Sequence, residues 1–208
     1  MDITKYPGFF IYCTFGKTRP ETKDLCNGAY RDFARTLHHV DEQKRKDLKA
    51  FVAEKMATEL PGLLKHKEKD KGSPEEFDVL HKAICDCIRN RARKADIPLT
   101  YGQVQKWVNM TVKNRIILKG IAWCDVSPHL HVPIDGRIIE AAEEYSVEIS
   151  NKSWSKIDDY GDYLVFQNAI RKAVNDKGGG ISPLQWEYGA WLEYDEKQLK
   201  IQKERGFE

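Results

Sequence analysis

Apolar residues recur every three to four positions along most of this chain, which is the spacing of one face of an α-helix. The clearest run is Leu25, Ala29, Phe33 and Leu37. Seven helices are predicted on this basis: over 22–37, over 41–60, from Ser73-Pro74 through Ile88, over 102–118, after Asp135, over 157–174, and from Ser182-Pro183 onward. The pattern therefore indicates an all-α protein.

Breaks in the pattern suggest where these helices begin and end. Ser73-Pro74 and Ser182-Pro183 have the residue types preferred at a helix N-cap and first turn. Pro61-Gly62 is expected to end the second helix. The charged stretch 65–73 is predicted to be a mobile loop, and the apolar stretch 9–12 either a short strand or an apolar plug. Residues 1–208 are expected to form one globular unit, with 1–95 and 96–208 as possible helical lobes around a cleft and the N-terminal segment packing on either.

Composition excludes several classes of protein. The chain is 41% hydrophobic and 32% charged, which is typical of a folded globular protein rather than a disordered one. No apolar run approaches the roughly 18 residues of a membrane span, and no signal peptide is recognisable, so we expect a cytoplasmic protein without a membrane partner. Five cysteines without a paired metal-ligand spacing indicate reduced thiols. A zinc site built from Cys124, His129, His131 and Asp135 is the weaker alternative, so no metal or other cofactor is expected.

Charge is unevenly distributed along the chain. Residues 1–80 carry a net charge of +1, residues 81–119 carry +7, and residues 120–208 carry −6. A basic centre of this kind suits a polyanion such as nucleic acid. The alternative is a solvated helix surface, and charge alone does not separate the two.

The segment Tyr101–Asn109 is the first candidate for chemistry. Pro98 and Gly102 bracket a short turn between two predicted helices, and a helix start of this kind can bind a phosphate through its free N–H groups. Lys106 follows one turn into the helix. Taken alone, Gly102 shaping a loop and Lys106 lying on the surface is the simpler interpretation.

The segment His131–Ile139 is the second candidate. Pro133 favours an extended backbone, after which Asp135 lies where a helix N-cap belongs. A capping aspartate needs no catalytic role, but it can also face a cleft. The two interpretations do not exclude each other.

These residues resemble the helix-hairpin-helix DNA glycosylases of the endonuclease III superfamily, over about residues 96–145. Gly102, Lys106 and Asn109 match the first hairpin glycine, the nucleophilic lysine and the asparagine of the family motif, whereas Val104 stands in place of its second glycine. Pro133-Ile134-Asp135 is similar to the segment that carries the family's catalytic aspartate, but Gly136-Arg137 replaces the usual Thr-His. The iron–sulfur loop is missing. The 29 positions from Lys106 to Asp135, and the closing helix of Pro183 to Leu192, are closer to the archaeal 8-oxoguanine glycosylase branch.

The resemblance implies a mechanism and a set of site residues. A modified base would be flipped out of DNA, Lys106 would attack the sugar C1′, and Asp135 would stabilise the developing positive charge or help activate the lysine. The implied nucleic-acid contacts are Gly102, Gln103, Gln105, Asn109, Lys113, Arg115 and Arg137. Candidates for a base pocket are Tyr101, Trp123, His129, His131, Trp154, Phe166 and Gln167, although satisfied loop histidines and core aromatic residues are the commoner roles for such residues.

Two other classes of function remain open from the sequence. One is a nonenzymatic helical module that binds nucleic acid or a nucleotide-like ligand. The other is an interaction protein in which Lys106 is an ordinary surface residue. An enzyme requires Lys106 and Asp135 to face one cleft, whereas a binding module requires only the basic surface.

Overall fold

The computed structural model describes residues 6–37, 40–65, 72–118, 128–144, 147, 153–177 and 180–204. Within these ranges the chain is all-α, with eight α-helices, one short 3-10 helix and no strand. The predicted fold class is confirmed at this level. None of the described helices is long and apolar enough to cross a membrane.

Eight α-helices make up most of the described chain. In chain order they are α1 (Tyr6–Phe15), α2 (Thr22–Ala34), α3 (Glu42–Lys65), α4 (Pro74–Lys94), α5 (Tyr101–Leu118), α6 (Gly136–Glu143), α7 (Tyr160–Asp176) and α8 (Pro183–Glu204), with the 3-10 helix Trp154–Lys156 between α6 and α7. Ser73 caps α4 in a capping box with Glu76, as its sequence predicts. Pro183 begins α8, also as predicted.

Helix α5 is the centre of the fold. It packs against α2, α3, α4, α7 and the 3-10 helix, and every residue from Tyr101 to Asn109 is buried. Its Trp107 ring packs against Tyr30 and Phe33, and Trp107 Nε1 donates to the Cys26 carbonyl at 2.9 Å. Polar and apolar side chains of its first half are buried alike, because neighbouring elements pack around it.

The predicted end of one helix and the predicted type of another element are wrong. Helix α3 does not end at Pro61 but continues to Lys65, because Leu63 and Leu64 are buried and hold the last turn against the core. The stretch 9–12 is not a strand but part of α1, with 63% of Phe9 and 54% of Tyr12 exposed. A helix satisfies its own backbone groups, whereas a lone strand would need a partner strand, and the described residues contain none.

Other predicted features fall in part outside the described residues. Most of the predicted mobile loop 65–73 does so, as do residues 178 and 179 of the glycine run expected after α7. One core cluster runs through residues of α2 to α8 and so joins the ranges 1–95 and 96–208.

Candidate functional site

Lys106 and Asp135 meet in the folded chain. Lys106 Nζ donates to Asp135 Oδ2 at 2.7 Å, and the two side chains are only 4% and 12% exposed. Buried ions of this kind are costly unless they are paired and hydrogen-bonded. The two side chains that the catalytic interpretation requires to lie together are in direct contact.

Asp135 has two roles at once. It is the N-cap of α6, and its Oδ1 accepts from Ile138 N at 3.0 Å while Oδ2 accepts from Lys106. The predicted cap is confirmed, and the same carboxylate also faces the lysine. Because the cap fixes the orientation of the carboxylate, Oδ2 stays directed at the amine.

An extended segment, residues 130–135, carries Asp135 through the interior. It has no strand partner among the described residues, so side-chain amides satisfy its backbone instead. Gln105 bonds both the N–H and the C=O of Ile134, and Gln167 bonds both groups of Val132. Pro133, between them, has no N–H to satisfy.

Behind this segment lies a buried network of polar side chains. His131 Nε2 lies 2.7 Å from Asp78 Oδ1 and its Nδ1 lies 2.7 Å from the Tyr163 hydroxyl, while Arg171 donates to both oxygens of Asp78. Asn109 connects the network to α5 by donating to Tyr163 and to the Val132 carbonyl. The network holds the extended segment through His131 and the Val132 carbonyl.

The electrostatics of this network favour a neutral histidine beside a charged carboxylate. Burial lowers the pKa of His131 to about 4, against the opposing effect of Asp78. Burial raises the pKa of Asp78, but hydrogen bonds from His131 and Arg171 outweigh it and bring that pKa to about 2. Burial also lowers the pKa of His81, which lies 3.0 Å from Asn109 Oδ1.

The Lys106–Asp135 pair forms part of the wall of a cavity of about 640 Å³. Aromatic side chains contribute to this wall from two places: Trp154 in the 3-10 helix, and Trp191 and Tyr194 on α8. A volume of this size lies in the range of small-molecule sites. We call this cavity the aromatic pocket.

Charged residues line the rest of the aromatic pocket. Arg31, Asp32 and Arg35 come from α2 or its C-cap, and Arg137 and Glu140 from α6. The Arg137 guanidinium lies 3.9 Å from the centre of the Trp191 ring, and its Nη1 lies 3.2 Å from Asp195 Oδ1. Desolvation by the surrounding residues raises the pKa of the Asp32 carboxyl, and the charge of Lys106 acts in the opposite direction. Asp32 is nonetheless an exposed residue.

A second lysine of α5 pairs with a carboxylate. Lys113 Nζ donates to Glu187 Oε1 of α8 at 2.7 Å; the Lys113 side chain is 15% exposed and the Glu187 side chain is fully buried. Its other oxygen, Oε2, has no hydrogen-bond partner among the described residues. Neither residue contributes to the wall of the aromatic pocket.

The structure gives several predicted nucleic-acid contacts a packing role. Gly102 N donates to Ile157 O at 2.9 Å, and a Cβ at Gly102 would lie 1.8 Å from the Trp154 carbonyl oxygen. Its amide is thus not presented to a phosphate as the hairpin interpretation expects. Gln103 donates to Thr36 Oγ1, and Arg115 donates to Thr22 Oγ1.

Gln105, Asn109 and Lys113 are likewise used inside the protein, through the contacts described above. Buried side chains whose donors and acceptors are already bonded are poorly placed to contact DNA. Of the residues predicted to bind nucleic acid, Arg137 alone lines the aromatic pocket.

The predicted base-pocket residues are also dispersed. Trp154 lines the aromatic pocket, but His131, Gln167 and Phe166 are buried and do not line it. The Tyr101 ring packs beneath Arg89, and its hydroxyl donates to Asp86. The His129 carbonyl accepts from Arg171. Trp123 lies outside the described residues.

Sequence reasoning missed most of the aromatic pocket. Its unpredicted members are Arg31, Asp32, Arg35, Met110, Gly136, Glu140, Trp191 and Tyr194. The polar residues on α2 look like any solvated helix face, and no spacing rule connects them to α5. Met110 could have been predicted as a neighbour of Lys106, because it lies four residues later on α5 and residues four apart share a helix face.

The basic centre of the sequence is partly neutralised in three dimensions. Lys82, Arg89, Lys106 and Lys113 each form an ion pair with a carboxylate. Only the Lys82 partner, Asp86, comes from the basic segment itself. The charge excess of residues 81–119 is therefore not one continuous basic surface.

The described residues contain no group of three His, Cys, Asp or Glu side chains arranged to hold a metal ion, and Cys124 lies outside them. Comparisons with protein-family models, with curated proteins and with solved structures found no match to this chain.

Proposed function

We propose that this protein is a DNA glycosylase that excises a modified or damaged base, with Lys106 as nucleophile and Asp135 as its partner, and with or without AP-lyase activity. The helices would then form a helix-hairpin-helix glycosylase arrangement, with the aromatic pocket as the cleft between two lobes. The observation that carries the proposal is the 2.7 Å contact of Lys106 Nζ with Asp135 Oδ2 in the wall of that pocket.

The contact suits attack on a sugar carbon. Transfer of a proton from Nζ to Oδ2 would produce the neutral amine that nucleophilic attack requires. Nζ would then bond to C1′ as the bond from C1′ to the base breaks, and the departing base would keep that electron pair and take up a proton. Loss of a further proton from Nζ, with opening of the sugar ring, would leave a Schiff base.

The aromatic pocket supplies what an extruded base needs. Trp154, Trp191 and Tyr194 line it, and stacking of a base on an aromatic ring contributes about 1–3 kcal/mol. Arg31 and Arg35 are exposed on α2 beside the same pocket, where they suit the phosphates on either side of the extruded nucleotide. Base, sugar and phosphate groups thus each have a chemically matched part of the site.

A second candidate is a binding module for nucleic acid or a nucleotide-like ligand on the same scaffold. The pairing of Lys106 favours this candidate. A lysine whose side chain is only 4% exposed and bonded to a carboxylate also fits a purely structural ion pair. This candidate uses the same arginines and aromatic rings without the bond-breaking step.

The two candidates differ in whether a covalent adduct forms. Wild-type protein is incubated with duplexes that carry an abasic site or one of a panel of modified bases, with borohydride present. A lyase yields a trapped protein–DNA adduct with at least one substrate, because borohydride reduces the Schiff base. Lys106→Ala should yield none, and Lys113→Ala serves as the matched control because it removes another lysine of α5 that is paired with a carboxylate.

A glycosylase that uses water rather than Lys106 would give no adduct but would still release base. Base release is therefore measured separately by alkaline cleavage of the product strand, with Asp135→Asn as the test variant. Binding without adduct and without base release on every substrate would overturn the glycosylase proposal in favour of the binding module.

A further inference from the structure

The side chain of Gln105 has every hydrogen-bonding position occupied. It is fully buried and directly precedes Lys106. Its Nε2 donates to the carbonyls of Gly102 and Ile134, at 2.9 and 3.0 Å. Its Oε1 accepts from Asn109 Nδ2 and Ile134 N, at 3.0 and 3.2 Å. A buried amide with two donors and two acceptor sites filled is fixed in orientation.

The position of Ile134 makes this amide important for the site. Ile134 directly precedes Asp135, so Gln105 bonds the backbone one residue before the carboxylate while its own backbone leads directly into Lys106. No other side chain among the described residues is adjacent to one member of the pair and bonded to the residue before the other. The amide of Gln105 thus joins α5 to the extended segment at the point where the two charged side chains meet.

We propose that Gln105 is a positioning residue that holds Asp135 against Lys106. It acts on the pair through the backbone of Ile134 and does not touch the substrate. Its effect on base excision rests on the proposed function, but its effect on the Lys106–Asp135 contact does not. Misplacement of a reacting group by about 1 Å can lower a rate about 100-fold, so a residue that fixes this distance has a large effect on the reaction.

Gln167 provides a matched control within the same segment. Its Oε1 accepts from Val132 N at 3.0 Å and its Nε2 donates to Val132 O at 2.8 Å, which is the same two-bond pairing. It is 1% exposed, but it acts on a residue three positions before Asp135, from α7 rather than α5. Loss of the Gln105 amide removes its bonds to both the N–H and the C=O of Ile134. Loss of the Gln167 amide removes the corresponding bonds to Val132, although Asn109 still donates to the Val132 carbonyl at 3.2 Å. Only Gln105 lies beside the Lys106–Asp135 pair.

The test compares Gln105→Met with Gln167→Met, because methionine keeps the length of the side chain and removes its polar atoms. Lys106 is labelled by reductive methylation under native conditions, and its modification rate is measured by peptide mass spectrometry. Labelling of a buried amine depends on how often the surrounding structure opens. We expect Gln105→Met to raise the Lys106 rate at least about tenfold and Gln167→Met to raise it less than about threefold.

Thermal unfolding of both variants shows whether a general loss of stability explains the change. Equal acceleration in both variants, or none in Gln105→Met, would overturn the proposal. If Gln105→Met does not fold, Gln105→Glu takes its place, since it keeps an acceptor oxygen for Ile134 N and removes the amide donor; the same two outcomes decide. Excision rates are measured alongside: a wild type without excision on any substrate counts against the glycosylase proposal, while the labelling comparison still decides the role of Gln105.

Discussion

Two lysines of α5 each pair with a carboxylate, and the two pairs have the same contact distance but different surroundings. Lys106–Asp135 and Lys113–Glu187 each join Nζ to a carboxylate oxygen at 2.7 Å. The first opens onto the aromatic pocket, and both oxygens of its carboxylate are bonded. The second lies outside the pocket, and one oxygen of its fully buried carboxylate has no hydrogen-bond partner in the described part of the chain. Residue types and distances alone therefore do not distinguish a reactive pair from a structural one.

The two carboxylates also differ in how the fold carries them. Glu187 lies within α8, whereas Asp135 follows an extended segment whose backbone is bonded by amide side chains of α5 and α7. A helix satisfies its own backbone and needs no such support. The extra side-chain bonds around Asp135 indicate that its position depends on a network, and this difference can be tested.

Substitution of the two lysines should separate their roles most strongly. Lys106→Gln and Lys113→Gln both keep a donor for the paired carboxylate and remove the amine. With the substrate that the wild type excises fastest, Lys106→Gln should lower the single-turnover rate at least about 1,000-fold, because the nucleophile is gone. Lys113→Gln should lower it less than about tenfold. Similar losses in both would remove the distinction between the pairs.

Stability should show the opposite order. Lys113→Met leaves the fully buried Glu187 without its partner and should lower the free energy of unfolding by about 3–5 kcal/mol. Lys106→Met should lower it by less, because Asp135 is slightly exposed and still accepts from Ile138 N. Urea unfolding measures both, and the double variant Lys113→Met with Glu187→Leu should recover most of the loss. A larger loss for Lys106→Met would contradict the comparison.

Mild acid should destabilise the network of buried polar side chains around the extended segment that carries Asp135. The folded-state pKa of His131 is about 4 and its ordinary value is 6.5, so the unfolded chain takes up a proton first as the pH falls. The stability from keeping His131 neutral is complete above pH 6.5 and is lost between 6.5 and 4, by about 2 kcal/mol at pH 5. Asp78, with a lowered pKa, adds a further loss below its ordinary value of 3.8.

Urea midpoints at pH 7 and pH 5 measure this loss of stability. His131→Gln is the control that should reduce the pH dependence, while His81, whose pKa burial also lowers, keeps its own share. Labelling of Lys106 should also accelerate more than labelling of Lys113 over this range, because His131 belongs to the extended segment that leads to Asp135 and bonds to α4 and α7. An equal increase in the labelling rates of the two lysines would mean that the polar network does not control the position of Asp135.

The smallest expected effect concerns DNA affinity. Arg35 is exposed beside the aromatic pocket, so Arg35→Gln should weaken binding and reduce the slope of log affinity against log salt by about 1. Lys46→Gln is the control, since Lys46 is an exposed residue of α3 outside the pocket and is paired with Glu42. Fluorescence anisotropy over a salt series measures both. An equal change in both slopes would place the nucleic acid elsewhere on the surface.

The local structure around the site was predictable from sequence because it follows local rules. The span of α5, the N-cap at Asp135 and the start of α8 at Pro183 depend on periodicity and capping, which neighbouring residues determine. The boundary at Pro61 was not predictable in this way. Burial of Leu63 and Leu64 keeps α3 helical past a residue that usually ends a helix.

The assembly of the site depends on contacts between residues far apart in the chain. Gln105 and Gln167 resemble surface glutamines in the sequence, and their role becomes clear only when the extended segment lies between α5 and α7. Arg31 and Asp32 reach the pocket because α2 packs on α5. No spacing rule relates residues that are separated by about a third of the chain.

Peptide mapping of the trapped protein–DNA adduct tests the central claim most directly. After borohydride reduction on abasic DNA, the complex is digested with protease and nuclease, and the modified residue is located by tandem mass spectrometry. If Lys106 is the nucleophile, the sugar remnant will be on the Lys106 side chain, with none on Lys113. An adduct on Lys113, on another lysine or on the N-terminal amine, with Lys106 unmodified, would contradict the account.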